Sequence, residues 1–324
     1  MREALFIKQS SKKWKEYEEN KTNDPDELAS AFIAITDDLA YAKTFYPKSK
    51  TTQYLNGLAA SFHQSIYKNK KEKTNRFISF WQYELPLIFY TYRRQLLYSF
   101  IFFIIFTLMG VLSAKYDTNF VKLIMGNDYV NMTNDNIAKG DPFGVYKDSS
   151  SVAIYLMIAA NNTKVAVIFF VLGIFFSIGT LYVSLQNGIM LGSFQYYFFS
   201  KGLGLQSVLV IWIHGTLEIS SFIIAGAAGL ILGNSLLFPK THTRLVSVKN
   251  GAKAGLKITI GIIPIILTAA FFESFVTRHT EMPAWLSITI LASSLVFIIW
   301  YVILYPALLN KKLNTNLIIN ETTY

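Results

Sequence analysis

Long unbroken apolar runs appear only after residue 94, whereas the preceding positions mix apolar and polar residues at helical spacing. A run of about 20 apolar residues, each rising ~1.5 Å, crosses a hydrocarbon core of ~30 Å. Residues 96–114, 165–185, 208–236, 256–272 and 285–306 meet or approach that standard. Five such runs exceed what one soluble core of this length would bury. The pattern predicts an all-α fold: a polytopic α-helical membrane protein with an N-terminal cytoplasmic helical domain. Its expected parts are a domain at 1–94, a membrane domain at 95–310 and a cytoplasmic tail at 311–324.

Within the first part, "TNDPDELASAFIAITDDLAYAKTFY" carries a helix-start signal. Asp24 stands at the N-cap, Pro25 at the first helical position and Glu27 three residues after the cap. Leu28, Phe32, Ile35, Leu39 and Ala42 follow on one face. "TTQYLNGLAASFHQSIYKNKKEK" predicts a second helix with Tyr54, Leu55, Leu58, Phe62 and Ile66 together. The basic run "KNKKEKTNR" reads as a solvated turn, with contact to anionic headgroups as the alternative. The aromatic stretch "FISFWQYELPLIFYTYRRQLL", with Trp81, Tyr83, Phe89, Tyr90 and Tyr92, suits an interfacial helix.

Charge distribution orients the chain. Residues 1–94 carry sixteen basic and eleven acidic side chains, and 237–257 carries five basic and none acidic. Residues 115–164 balance five Lys against five Asp. Basic flanks stay cytoplasmic, so the N-terminal domain, the 237–257 loop and the tail belong inside, and the net charge of +10 does not point to nucleic acid. With five crossings the basic loop would lie outside. A sixth inserted element is therefore required, and "NGIMLGSFQYYFFSKGLG" (187–204) is the candidate, short or re-entrant. Residues 115–164 become an outer segment of turns and short helices, in which "SVAIYLMIAANN" is too short to cross. No secretory signal precedes the first span, which is expected to act as its own targeting signal. With no cysteine, thiolate sites and disulfides are excluded.

The apolar stretch "IWIHGTLEISSFIIAGAAGLILG" sets His214 and Glu218 one turn apart. Ser221, Ala225, Ala228 and Gly229 continue that stripe, and Gly229 to Gly233 repeats a small-xxx-small spacing that lets helices approach closely. Ile219, Ile223 and Leu230 lie opposite and are expected to face lipid. Three roles compete for the polar pair: interhelical glue, a proton- or cation-handling site in a transport pathway, and half of a metal site. The last lacks a third ligand unless Glu273 or His279 converges on it. Glu273 is the secondary candidate, expected near the outer boundary with Arg278 close enough to neutralise it. Pro264 is expected to kink its span. No phosphate-binding loop, dinucleotide fingerprint or nucleophile elbow is present.

"NGIMLGSF", "HGTLEISSFIIAGAAGLILG" and the glycine-bearing basic loop together resemble the stage II sporulation protein M family of bacterial membrane proteins. "FIKQSSKKWKEYEE" and "ITDDLAYAKTFYP" are similar to the cytoplasmic leader of its larger members. His214, Gly215, Glu218, Gly226 and Gly229 match the family's motif. The resemblance implies a multi-pass, non-enzymatic protein; sporulation-specific members anchor peptidoglycan-degrading partners during engulfment. The expected function is thus a scaffold for membrane or cell-envelope partners in the bacterial inner membrane, with self-association open, both termini cytoplasmic, and no cofactor or metal. A transporter or channel using His214 and Glu218 is the alternative, and a metal-dependent membrane enzyme the second alternative.

Overall fold

The computed structural model describes residues 2–19, 24–68, 76–146, 152–280 and 282–321, and among these there are helices and turns but no strand. Residues 69–75, which hold most of the basic "KNKKEKTNR" run, and Glu281 lie outside the described residues. The chain divides into two compact units, 1–76 and 77–324.

The first unit holds α1 (Glu3–Glu19), α2 (Pro25–Phe45) and α3 (Lys50–Lys68). Asp24 caps α2, its carboxylate accepting from the Asp26 N–H at 2.9 Å. Leu28, Ile35, Leu39 and Ala42 of α2 meet Leu55, Leu58 and Phe62 of α3 in one core. Tyr54 and Ile66, expected on the buried side, are exposed, and Thr52 takes the buried place with its hydroxyl on the Tyr46 carbonyl (2.7 Å). The sequence left α1 unassigned because only Phe6 and Trp14 are buried on it. Trp14 joins the same core and donates Nε1–H to Asp38 Oδ2 at 2.8 Å.

The second unit begins earlier than residue 95. Short helices α4 (Arg76–Ser79) and α5 (Leu85–Thr91), joined by a π-turn at Phe80–Glu84, carry the aromatic stretch. Leu85 and Phe89 are fully buried among the membrane helices. Trp81 Nε1–H donates to the Gly261 carbonyl (3.1 Å), and the Tyr301 hydroxyl to the Trp81 carbonyl (2.8 Å). The stretch is part of the membrane unit, not an appendage of the N-terminal one.

Then follow α6 (Arg93–Tyr116), α7 (Thr118–Met125), α8 (Asn127–Ala138), α9 (Val152–Val171), α10 (Ile178–Ser200), α11 (Gly204–Leu237), α12 (Arg244–Gly261), α13 (Ile263–Phe271), α14 (Ala284–Ile299) and α15 (Tyr305–Glu321). Among the described residues, five helical stretches are long and apolar enough to cross a membrane: Arg93–Tyr116, Val152–Ile174, Gly204–Leu237, Arg244–Val276 and Ala284–Asn314. The break at Ile262, two residues before Pro264, falls where the lost amide predicts it.

The expected span at 165–185 does not exist as one helix. Phe176 (φ 53°) and Ser177 (φ 69°) adopt left-handed backbone and reverse the chain between α9 and α10. The turn is itself apolar, so hydropathy runs through it without a dip. Two corrections follow. Of "SVAIYLMIAANN", expected at the outer surface or packed on the bundle and too short to cross, Val152 onward lies within the long helix α9. Residues 187–204 do not form an element of their own, because most of them are the second half of the 23-residue α10.

Along α10, Gly188 and Gly192 lie against α6, where a Cβ at Gly192 would stand on the Thr107 carbonyl oxygen. At the centre is α11, in contact with α6, α9, α10, α12, α13 and α14. Its expected lipid face is therefore wrong: Leu230 is buried, and Ile219 and Ile223 are half-buried. A helix with apolar residues on every side suits the centre of a bundle. The small residues face neighbours of the same chain. Gly226 meets Ser99, Gly229 meets the Phe169 backbone and Thr180, and Gly233 meets Ser177; Ala225 and Ala228 are wholly buried.

Candidate functional site

The site is built where α11 passes the end of α13. His214 and Glu218 extend from one face of α11, separated by one helical turn. Beyond Phe271, α13 loosens into a π-turn at Phe272–Val276, closed by the Thr277 N–H on the Phe272 carbonyl at 2.8 Å. A π-turn inserts one residue into the helical repeat and so re-aims the side chains around it. This one carries Glu273, which is half-buried.

One ligand atom each from His214, Glu218 and Glu273 lies within 4.8 Å of the others. His214 is 5% exposed, and its Nδ1 lies 2.9 Å from Thr277 Oγ1. If Nδ1–H donates to that hydroxyl, Nε2 is the lone-pair nitrogen. From α9, the buried Asn162 side chain stands close enough to Glu218 to interact with its carboxylate. Three separate stretches of chain thus supply an imidazole, two carboxylates and an amide.

Of the other residues singled out by sequence, Ser221 is fully buried but gives its hydroxyl to the Leu217 carbonyl of its own helix (2.8 Å). Gly215 has open space where a Cβ would stand. Ala225, Gly226, Gly229 and Gly233 serve helix contact further along α11 rather than the polar cluster. The expected neutralisation of Glu273 by Arg278 is absent: among the described residues no ion pair joins them, and the carboxylate turns to the α11 pair instead.

Asn162 and Thr277 were missed. The signal for Asn162 was the pair "NN" at the end of "MIAANN", which the expected outer placement hid. The signal for Thr277 was its place four residues after Glu273.

Two carboxylates this close repel, and removing ionised groups from water costs several kcal/mol each unless they are compensated. A proton or a cation between them offsets both effects. The donor set of one nitrogen and several oxygens suits a borderline or hard divalent ion. Bond lengths of ~2.0–2.2 Å set tetrahedral ligands roughly 3.5 Å apart. Atoms within 4.8 Å would have to draw closer to hold such an ion, with Thr277 steadying the imidazole through its other nitrogen.

Comparison with known proteins gives two matches. Residues 99–278 match the family described as stage II sporulation protein M, and residues 4–68 match a domain of unknown function (DUF8413). No curated protein and no solved structure matches. The first match runs from the second turn of α6 to just past the π-turn, so it contains Asn162, His214, Glu218, Glu273 and Thr277. The second is nearly coextensive with the three-helix unit.

Proposed function

The chain belongs to the stage II sporulation protein M family, and we propose that this member is a non-enzymatic, cation-handling membrane protein, a transporter or channel acting through His214, Glu218 and Glu273. One observation carries the reading: three ionisable groups from two helices converge within 4.8 Å inside the membrane unit. Ionisable side chains at membrane depth are costly and mark ion and proton routes more often than packing needs do. Packing alone would be served by Ser or Thr, as it is where Ser99 donates to the Ile223 carbonyl at 2.6 Å. The π-turn also leaves the Ser274 hydroxyl buried without a partner, a cost that close packing would avoid.

The deciding experiment is flux in proteoliposomes loaded with a pH dye or a divalent-metal dye. Cation movement is expected with the wild-type protein and not with Glu218→Gln. No flux of protons, Zn²⁺ or Mn²⁺ from correctly folded protein would refute the reading.

A scaffold for membrane or envelope partners is the second reading. It is favoured by the separate three-helix unit with its own core and by Leu123 and Met132, exposed on α7 and α8. Stable partners recovered from native membranes, unaffected by Glu218→Gln, would favour it over transport. On either reading we place the protein in the bacterial cytoplasmic membrane with both termini inside. The basic 237–257 loop supports that placement, with α10 taken as a sixth crossing beside the five long apolar stretches.

A further inference from the structure

We propose that a cleft at the other end of the bundle from the His214 cluster binds the phosphate of an anionic phospholipid headgroup. The cleft, about 450 Å³ in volume, lies where α6 begins, α11 ends and α12 begins. Arg93, Arg94, Lys240 and His242 line it, together with the amides of Asn234 and Asn250, and no Asp or Glu does.

The basic residues arrive from two stretches of chain some 145 residues apart, so helical periodicity alone does not gather them. Arg93 is fixed in place, with Nη1 donating to the Tyr90 carbonyl at 3.0 Å and its guanidinium 4.6 Å from the centroid of the Tyr90 ring. Arg94, Lys240 and His242 form no side-chain hydrogen bond or ion pair with another described residue. Like charges brought together without a counter-charge repel one another, and an anion in the cleft relieves them. Lys240 is moreover held at φ 55°, left-handed backbone where glycine would be unstrained. The chain keeps a charged side chain at that position against its conformational preference.

What distinguishes a lipid from a free anion is the rim. Phe238 lines the cleft and is exposed, and Leu97 and Tyr98 on α6 and Leu245 on α12 are exposed large hydrophobic side chains within four positions of a lining basic residue in sequence. Acyl chains would lie on them while the phosphate enters the cleft. Basic pockets at helix ends on one face of a membrane bind headgroups in this way. The proposal does not rest on the cation-handling reading of the other site.

The test is native mass spectrometry of the delipidated full chain against phosphatidylglycerol, phosphatidylcholine and inorganic phosphate. Wild type is expected to retain phosphatidylglycerol over phosphatidylcholine, with excess inorganic phosphate failing to displace it. Arg94→Gln with Lys240→Gln is expected to bind phosphatidylglycerol about 30-fold more weakly. Lys240→Gly removes one charge and the backbone strain together, so it should weaken binding about fivefold with no fall in melting temperature. Equal retention of the two lipids, unchanged binding in both variants, or displacement by inorganic phosphate would each overturn the proposal.

Discussion

Glu218 and Glu273 stand 55 positions apart in sequence, on α11 and on the π-turn after α13, yet bring carboxylate oxygens within 4.8 Å of one another and of a His214 nitrogen. Removing one charge while keeping shape separates function from packing. Glu273→Gln is expected to abolish or reduce cation flux at least tenfold while leaving the melting temperature unchanged or higher, since a repulsion is removed. Flux assays and thermal melts on the same preparation check it. A large fall in stability with flux intact would make the cluster structural.

Thr277 is expected to act through His214 and not on the cation. Thr277→Val keeps the shape but removes the hydroxyl 2.9 Å from Nδ1. Outer-shell partners of a ligating histidine are worth about 10–100-fold in metal affinity. The expected outcome is weaker binding of Zn²⁺ by calorimetry, with Thr277→Ser restoring it. An unchanged affinity would remove Thr277 from the site.

Half of this site was legible in the sequence and half was not. His214 and Glu218 stand out because an i, i+4 pair of ionisable groups in an apolar run has no soluble-surface explanation. Their convergence with Glu273 depends on tertiary packing and on a π-turn that no residue in "FESFV" announces. Membrane spans were legible by length and apolarity where turns contain polar residues, as after α6 and α13. They were misplaced at 165–185 because Phe175 and Phe176 make an apolar turn. The lipid face assigned to α11 failed because apolar residues on both sides fit burial in a bundle as well as they fit lipid. Aliphatic identity does not distinguish the two.

Two glycines in helices are expected to respond in opposite directions to the same methyl. At Gly192 a Cβ would collide with the Thr107 carbonyl of α6, so Gly192→Ala is expected to destabilise the membrane unit by about 1–3 kcal/mol. At Gly57 in α3 nothing lies within 4 Å of the added atom. Gly57→Ala is expected to stabilise the three-helix unit by about 0.5–1 kcal/mol through helix propensity alone. Thermal unfolding in detergent, resolved by hydrogen exchange for each unit, reads both. A tolerated Ala at 192 would mean that α6 and α10 do not cross as closely as described.

Acid sensitivity of the three-helix unit follows from Glu3. Its carboxylate accepts from the Thr51 hydroxyl at 2.8 Å, and hydrogen bonds from Ser49 and Thr51 pull its pKa below the ordinary 4.5. A lowered folded value stabilises the fold above the unfolded value and ceases to do so as the pH falls through the folded one. Hydrogen-exchange protection at the start of α1 is therefore expected to hold at neutral pH and decline below about pH 4. Thr51→Val should lessen protection already at pH 6. Tyr54 does not enter this window, because partial loss of water around its hydroxyl and the bond to Glu18 push its phenol up to about 12.

Side-specific labelling separates six crossings from five. The chain has no cysteine, so each introduced one is the only thiol. Lys249 is exposed on the first turns of α12, Asn127 is exposed at the start of α8, and His279 is exposed after the π-turn. With α10 as a full crossing, Asn127→Cys and His279→Cys lie on one side of the membrane and Lys249→Cys on the other. The excess of basic residues around Lys249 assigns it to the cytoplasm. A membrane-impermeant maleimide added to intact cells is therefore expected to modify the first two and spare the third, until the membrane is opened. If α10 re-entered without crossing, Lys249→Cys would react from outside together with Asn127→Cys, and the basic cleft would then face the envelope instead of the cell interior.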